Sequence, residues 1–248
     1  KKVIAVCLAG MAAVLLSACS GGTPGVSAAE QEQVQSRAGN RLEAVEELGT
    51  IAIGISADYA PFAFKAPDGE DAFSFEGADV ELGRYIAEQL GVEAEFHEME
   101  FEDCLKAVEQ GNVDLVLLGM LPRKEREAGM DFTDPYYRPG RQVILVKASQ
   151  KDRLSKLSDF EGKAVAAQYG SLQAQLVAEQ LPGSRMELAE SASEAVLLLR
   201  LGTVSGTVLD EAMAEEVLKE RSDLALSQAE LSYEGQALVG GVVKGETE

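Results

Sequence analysis

From residue 41 onward the apolar positions change period again and again. Short runs rich in Val and Ile at 50–55, 113–118, 142–146, 163–167 and 204–209 predict strands. Between them, stripes spaced by three and four at 79–90, 101–110, 171–181, 192–201 and 211–218 predict amphipathic helices. A short helix at 41–48, stopped by Gly49, precedes the first strand. Alternation of this kind predicts an α/β fold with parallel βαβ sheets. Two marks divide it. Pro135-Tyr-Tyr-Arg-Pro-Gly140 separates the first strand-helix set from the second, and Leu231-Ser-Tyr-Glu-Gly235 precedes a last strand-like stretch at 237–244. The division predicts one lobe at 41–138, a second at 139–232 and a return to the first at 233–248. Ligands favour the cleft between two such lobes.

The N-terminal pattern is of another kind. Lys1 and Lys2 precede an apolar run from Val3 to Leu16, too short to span a bilayer comfortably and ending in small residues. This predicts a secretory leader over 1–18. The stop, Leu16-Ser17-Ala18-Cys19, resembles the bacterial lipobox. That resemblance implies cleavage before Cys19 and lipidation of its thiol, leaving the protein extracytoplasmic and attached to the membrane through lipid alone. Residues 19–40, rich in Gly, Ala, Ser, Gln and Glu, have the composition of a flexible tether.

Charge and cysteine usage narrow the function classes. The 248 residues carry a net charge of −20, and loss of Lys1 and Lys2 with the leader makes the mature chain more acidic still. Such a surface repels phosphate backbones, so nucleic acid is not an expected partner. With Cys7 in the leader and Cys19 lipidated, Cys104 stands alone and no intramolecular disulfide is expected. Cys104 shares a helical stripe with Phe101, Leu105 and Val108, which favours a buried, inert role. His97 is the only histidine. No metal site, cofactor or catalytic residue is assigned, because zinc ligation and a Ser-His or Cys-His pair both lack their residues.

Several motifs then occur in order. They are Leu48-Gly-Thr-Ile-Ala-Ile-Gly54, Asp58-Tyr-Ala-Pro-Phe-Ala-Phe64 and Phe75-Glu-Gly-Ala-Asp-Val-Glu-Leu82. Leu105-Lys-Ala-Val-Glu-Gln-Gly-Asn-Val-Asp114, Arg126 and Asp131-Phe-Thr-Asp-Pro-Tyr-Tyr137 follow. Gln168-Tyr-Gly-Ser171 and Val208-Leu-Asp-Glu211 complete the set. In order and spacing the chain resembles family 3 of the bacterial extracellular solute-binding proteins, the polar amino-acid binders, from about 41 to 244. The resemblance implies the two-lobed, type II periplasmic-binding fold, with a hinge and an interlobe ligand cleft.

It also implies a function: capture of an amino acid or similar solute by hinge closure, without catalysis, for an ABC permease with its ATPase. A monomer is expected. The resemblance places Arg126 on the ligand carboxylate, Ser171 at a second anion site on a helix N-terminus, and Asp210 on the ammonium. Tyr59, Phe62 and Phe101 would flank the side chain, with Gly119, Met120, Leu121 and Gln168 completing the wall. On their own terms these residues have plainer readings: Arg126 as a solvated charge between Glu125 and Glu127, Ser171 and Asp210 as helix N-caps, Phe101 as core. Three departures stand out. Leu121 replaces a Thr whose hydroxyl donates to the ligand, and Ser56 occupies the acidic position of basic amino-acid binders, with Asp58 beside Tyr59 instead. Family members also continue into a C-terminal helix packed on the first lobe, which the sequence to Glu248 does not include. Two other functions fit the same fold: a surface sensor or adhesin-like lipoprotein, and a cyclohexadienyl dehydratase, which needs a general acid or base in the cleft.

Overall fold

A computed structural model describes residues 39–65, 74–233 and 235–246. The leader, Cys19 and the tether up to residue 38 lie outside the described residues. Asn40 caps the first helix, α1 (Arg41–Leu48), accepting from the Glu43 N–H, and Gly49 ends it in the left-handed region. Next come β1 (Thr50–Ile55) and a small antiparallel sheet of β2 (Asp58–Tyr59), β3 (Ala63–Lys65) and β4 (Phe75–Glu76). Helix α2 (Ala78–Leu90), β5 (Glu93–Glu98), α3 (Phe101–Glu109), β6 (Leu115–Met120) and β7 (Met130–Phe132) complete the first run. The chain crosses into β8 (Gln142–Lys147), then β9 (Ala164–Gln168), α4 (Leu172–Gln180), β10 (Arg185–Ala189) and α5 (Ala192–Leu201). It continues through β11 (Gly206–Asp210), α6 (Glu211–Glu220) and β12 (Leu224–Leu226), and ends in β13 (Val239–Val243).

Two five-stranded sheets result, ordered β5-β1-β6-β13-β7 and β10-β9-β11-β8-β12, one in each lobe. The pairs β1/β5, β1/β6, β9/β10 and β9/β11 are parallel, as βαβ connections require. The sheets as wholes are mixed, which corrects the expectation of parallel sheets. Strand β13 returns antiparallel to β6 and β7, and β8 lies antiparallel to β11 and β12. The two crossings pair with each other near the middle. The Tyr136 N–H donates to the Leu238 carbonyl at 3.0 Å, and the Leu238 N–H returns to the Tyr137 carbonyl at 2.6 Å.

Side-chain alternation along the central strands fills both faces of each sheet. In β8, Val143 and Leu145 pack with α5 and α6, while Ile144 and Val146 pack on the other side with Phe160 and Val177. In the first lobe, Ile51, Ile53 and Ile55 face Val80 and Ala87 of α2. Val116 and Leu118 face Cys104 and Val108 of α3 instead. Cys104 is fully buried, and burial pushes its thiol up to about 12, so it behaves as an apolar filler.

The expected strand at 113–118 starts two residues later, at Leu115. Asp114 explains the shift. Its carboxylate accepts from the Ala52 N–H at 2.7 Å and pairs with Arg41 Nε at 2.5 Å, so it anchors α1 to β1 before the ladder begins. Likewise the strand expected at 204–209 runs over Gly206–Asp210.

Candidate functional site

The strand ends of both sheets meet across a cleft of about 630 Å³ of empty space, counting its open mouth. Its first-lobe wall starts at the turn after β1, where the Phe62 N–H closes on the Tyr59 carbonyl at 2.8 Å. The turn stacks the Tyr59 and Phe62 rings with centroids 5.4 Å apart, and Tyr137 meets Phe62 edge-on. Gly119 near the end of β6 lies against them. Its φ is +56°, and a Cβ there would sit 2.7 Å from the Tyr59 ring, so only glycine lets the strand pass the aromatic pair.

After β6 the chain turns through Leu121 to Gly129, held by the Arg126 N–H on the Arg123 carbonyl and the Met130 N–H on the Arg126 carbonyl. This folding aims two guanidinium groups into the cleft. Arg126 lies over the Phe101 ring, 5.1 Å from its centroid, and donates to the Leu121 carbonyl at 3.1 Å. It also reaches the second lobe, donating to the Gly170 carbonyl at 3.2 Å. Arg123 donates to the same carbonyl at 3.1 Å. Burial, and then the nearby Arg123 charge, lower the Arg126 pKa to about 10, which still leaves it cationic at neutral pH.

The second-lobe wall is built from helix starts and strand ends. Ser171 caps α4: its hydroxyl accepts from the Ala174 N–H at 3.2 Å and donates to the Gln168 carbonyl at 2.7 Å. Asp210 caps α6, accepting from the Met213 N–H at 3.0 Å, and also accepts the Tyr59 hydroxyl from across the cleft. The plain capping readings of Ser171 and Asp210 are therefore realised, and both residues line the cleft as well. Burial raises the Asp210 pKa, opposed by the backbone N–H groups at the helix start. At the cleft margin the Ser193 hydroxyl donates to the Asp58 carbonyl at 2.9 Å, a further contact between lobes.

All ten residues singled out from the sequence line this one cleft: Tyr59, Phe62, Phe101, Gly119, Met120, Leu121, Arg126, Gln168, Ser171 and Asp210. Arg126 is not the solvated charge that its acidic neighbours suggest. Leu121 is 7% exposed and packs with Phe62 and Leu238, against Leu172 and Ala212 of the second lobe. An apolar contact between lobes thus stands where a hydroxyl was expected. Sequence reasoning assigned no place in the site to Arg123, Gln142, Gln173 or Leu238, which also line the cleft. Gln142 carried a usable signal, as the single polar residue opening the apolar run Gln-Val-Ile-Leu-Val. Leu238 carried none, because the distant return strand delivers it.

The family model for bacterial extracellular solute-binding proteins, family 3, matches residues 51–245, a span holding every cleft residue. The chain belongs to this family. Among its relatives, an arginine-binding extracellular protein of Bacillus subtilis is 33% identical over 176 residues, 70% of this chain and 66% of the relative. A probable histidine-binding protein of Campylobacter jejuni is 29% identical over 71% of this chain and 65% of its own length. The chain thus spans just under two thirds of these relatives. Among solved structures, an amino-acid ABC transporter substrate-binding protein of Streptococcus pneumoniae, bound to L-arginine, superposes with a TM-score of 0.78. It is 30% identical, with 84% of this chain and 86% of that one covered. The family's relatives are solute-binding proteins, and the type II periplasmic-binding fold they share is the fold seen here.

Proposed function

We propose that this protein captures a free amino acid between its lobes and presents it to an ABC importer. The observation that carries this reading is the pair of guanidinium groups in the cleft. The Arg126 guanidinium donates to two backbone carbonyls, Leu121 and Gly170, and among the described residues it forms no ion pair. A ligand carboxylate entering the cleft would exchange neutral acceptors for a charged, bidentate one, a stronger arrangement. Asp210, buried opposite and already bonded to Tyr59, would accept the ammonium, and the Tyr59, Phe62 and Phe101 rings would flank the side chain. The ligands named for the relatives, arginine and histidine, support an amino acid as the class.

In this reading the ligand draws the lobes together, because Arg126 lies on one lobe and Ser171 and Asp210 on the other. Cys19 holds the monomer to the outer face of the membrane through lipid, and the partners are a permease and its ATPase. A thermal-shift screen of the twenty L-amino acids tests the reading, since a ligand that binds only the folded state raises the melting temperature. At least one amino acid should bind, and Arg126→Ala should abolish its binding in calorimetry while the protein still melts cooperatively. A screen with no hit, or an Arg126→Ala variant that binds unchanged, overturns the proposal. Labelled palmitate incorporated by the wild type and lost in Cys19→Ser tests the anchor separately.

A further inference from the structure

We propose that Gln142, held by Gln173, is a further ligand contact of this cleft, donating its amide N–H2 to the carboxylate of the bound amino acid. The inference rests on the binding function proposed above. Gln142 opens β8 and is the register partner of Asp210 on the antiparallel neighbour β11. Directly opposed residues project from the same face of a sheet, and both line the cleft.

Gln142 is 4% exposed, yet its carboxamide is only half used. The oxygen accepts from Gln173 Nε2 at 2.9 Å, and among the described residues the N–H2 donates no hydrogen bond. No buried side-chain nitrogen or oxygen among those residues is left without a partner, so this N–H2 is not sealed within protein. Gln142 lines the cleft, and in this proposal its N–H2 faces it. Gln173 lies in the first turn of α4, two residues after Ser171, so the amide pair adjoins the residues proposed for the ligand's carboxylate and ammonium. An amide donor with no protein partner is available to a ligand, and a carboxylate is the strongest acceptor an amino acid brings. The bond from Gln173 polarises the Gln142 amide and strengthens its donation. The first-lobe wall also lacks a donor at Leu121, whose side chain is apolar and packed between the lobes. Gln142 supplies one from the opposite side.

Calorimetry on the full folded chain tests this, using the best-binding amino acid from the twenty and its α-carboxamide analogue. Removing a hydrogen bond to a charged group should weaken binding of the amino acid by about 10- to 100-fold in Gln142→Leu. The same variant should bind the carboxamide analogue about as well as the wild type does, a selectivity that a merely structural role would not produce. Gln142→Glu, of the same shape, should bind the amino acid more weakly than Gln142→Leu and recover as the pH is lowered. Equal losses for both probes, or tighter binding by Gln142→Glu, overturn the contact, the second by placing Gln142 on the ammonium. If the wild type binds none of the twenty, the capture function itself falls and this contact with it. Unchanged Arg126→Ala dependence alongside an inert Gln142→Leu would sink this inference alone.

Discussion

Asp79 and Tyr136 tie the first lobe to the crossing into the second: the Tyr136 hydroxyl donates to Asp79 Oδ1 at 2.9 Å. The other carboxylate oxygen accepts from the N–H of Gly119, a cleft residue, at 2.8 Å. One fully buried carboxylate therefore links the crossing to the cleft wall. Burial raises its pKa from 3.8 to about 6 against the opposing pull of both hydrogen bonds.

The sign of the resulting pH dependence follows from linkage. Below pH 3.8 Asp79 is protonated in both states, whereas between pH 3.8 and about 6 the unfolded chain has released a proton that the folded protein keeps. Stability from this group therefore falls as pH rises through that window and levels off above it. The full change corresponds to about 3 kcal/mol. Asp79→Asn, which cannot titrate, should lack this slope. Urea unfolding of both proteins at pH 4 and pH 7 should show the variant gaining on the wild type as pH rises. A constant difference would exclude Asp79 as the titrating group.

Tyr59 offers a cleaner view of the contact between lobes, because Tyr59→Phe keeps the ring on Phe62 and removes only the hydroxyl on Asp210. The change leaves Asp210 with the Met213 N–H as its side-chain partner, which preserves the α6 cap. Without ligand, the variant should be more open than the wild type, seen as a larger radius of gyration in X-ray scattering. A hydrogen bond to a charged group contributes about 1.5–3 kcal/mol, so amino-acid binding should weaken by about 10-fold or more. An identical radius and affinity would show that the Tyr59–Asp210 bond does not couple the lobes.

How far the sequence reached depends on what each residue faces. Runs buried on both sides, such as residues 53–55 of β1 and the Val-Ile-Leu-Val of β8, were legible because burial on both faces excludes polar side chains. Strands β5 and β10 were missed because they lie at sheet edges, where Glu93, Glu95, Arg185 and Glu187 break the apolar pattern. The cleft was legible through motifs that sit at strand ends and helix starts, where chemistry and chain reversal coincide. What the motifs could not convey was which side chains meet across the cleft. Arg123 reaching Gly170, and Leu121 meeting Leu172 and Leu238, join residues far apart in the chain.

Leu121 can be tested by restoring the residue that the family resemblance leads one to expect. Leu121→Thr adds a hydroxyl but removes an apolar side chain buried among Phe62, Leu238 and Leu172. The packing loss should lower stability by about 1–3 kcal/mol. Ligand affinity should move the other way or hold steady, because the hydroxyl adds a donor facing the ligand. Thermal melts with and without the amino acid separate the two effects. A variant as stable as the wild type would mean that Leu121 does not pack between the lobes as described.

Asp114 makes the strongest claim about what holds the first lobe together. Its two oxygens serve different partners, with Arg41 Nε on one and the Ala52 N–H on the other, while Arg41 Nη2 also donates to the Gly111 carbonyl at 2.7 Å. Both side chains are largely buried, at 17% and 13% exposed, so removing one strands charged or polar groups away from water. Asp114→Ala leaves the Ala52 N–H and the Arg41 guanidinium short of partners and should destabilise the fold by about 3 kcal/mol. Asp114→Asn keeps an acceptor for one partner and loses the charge, so its cost should be smaller. Arg41→Ala should cost less than Asp114→Ala, since the Ala52 N–H keeps its acceptor. Because neither Arg41 nor Asp114 lines the cleft, ligand affinity in all three variants should stay near wild type. A loss of affinity larger than the loss of stability would instead mean that α1 positions the cleft.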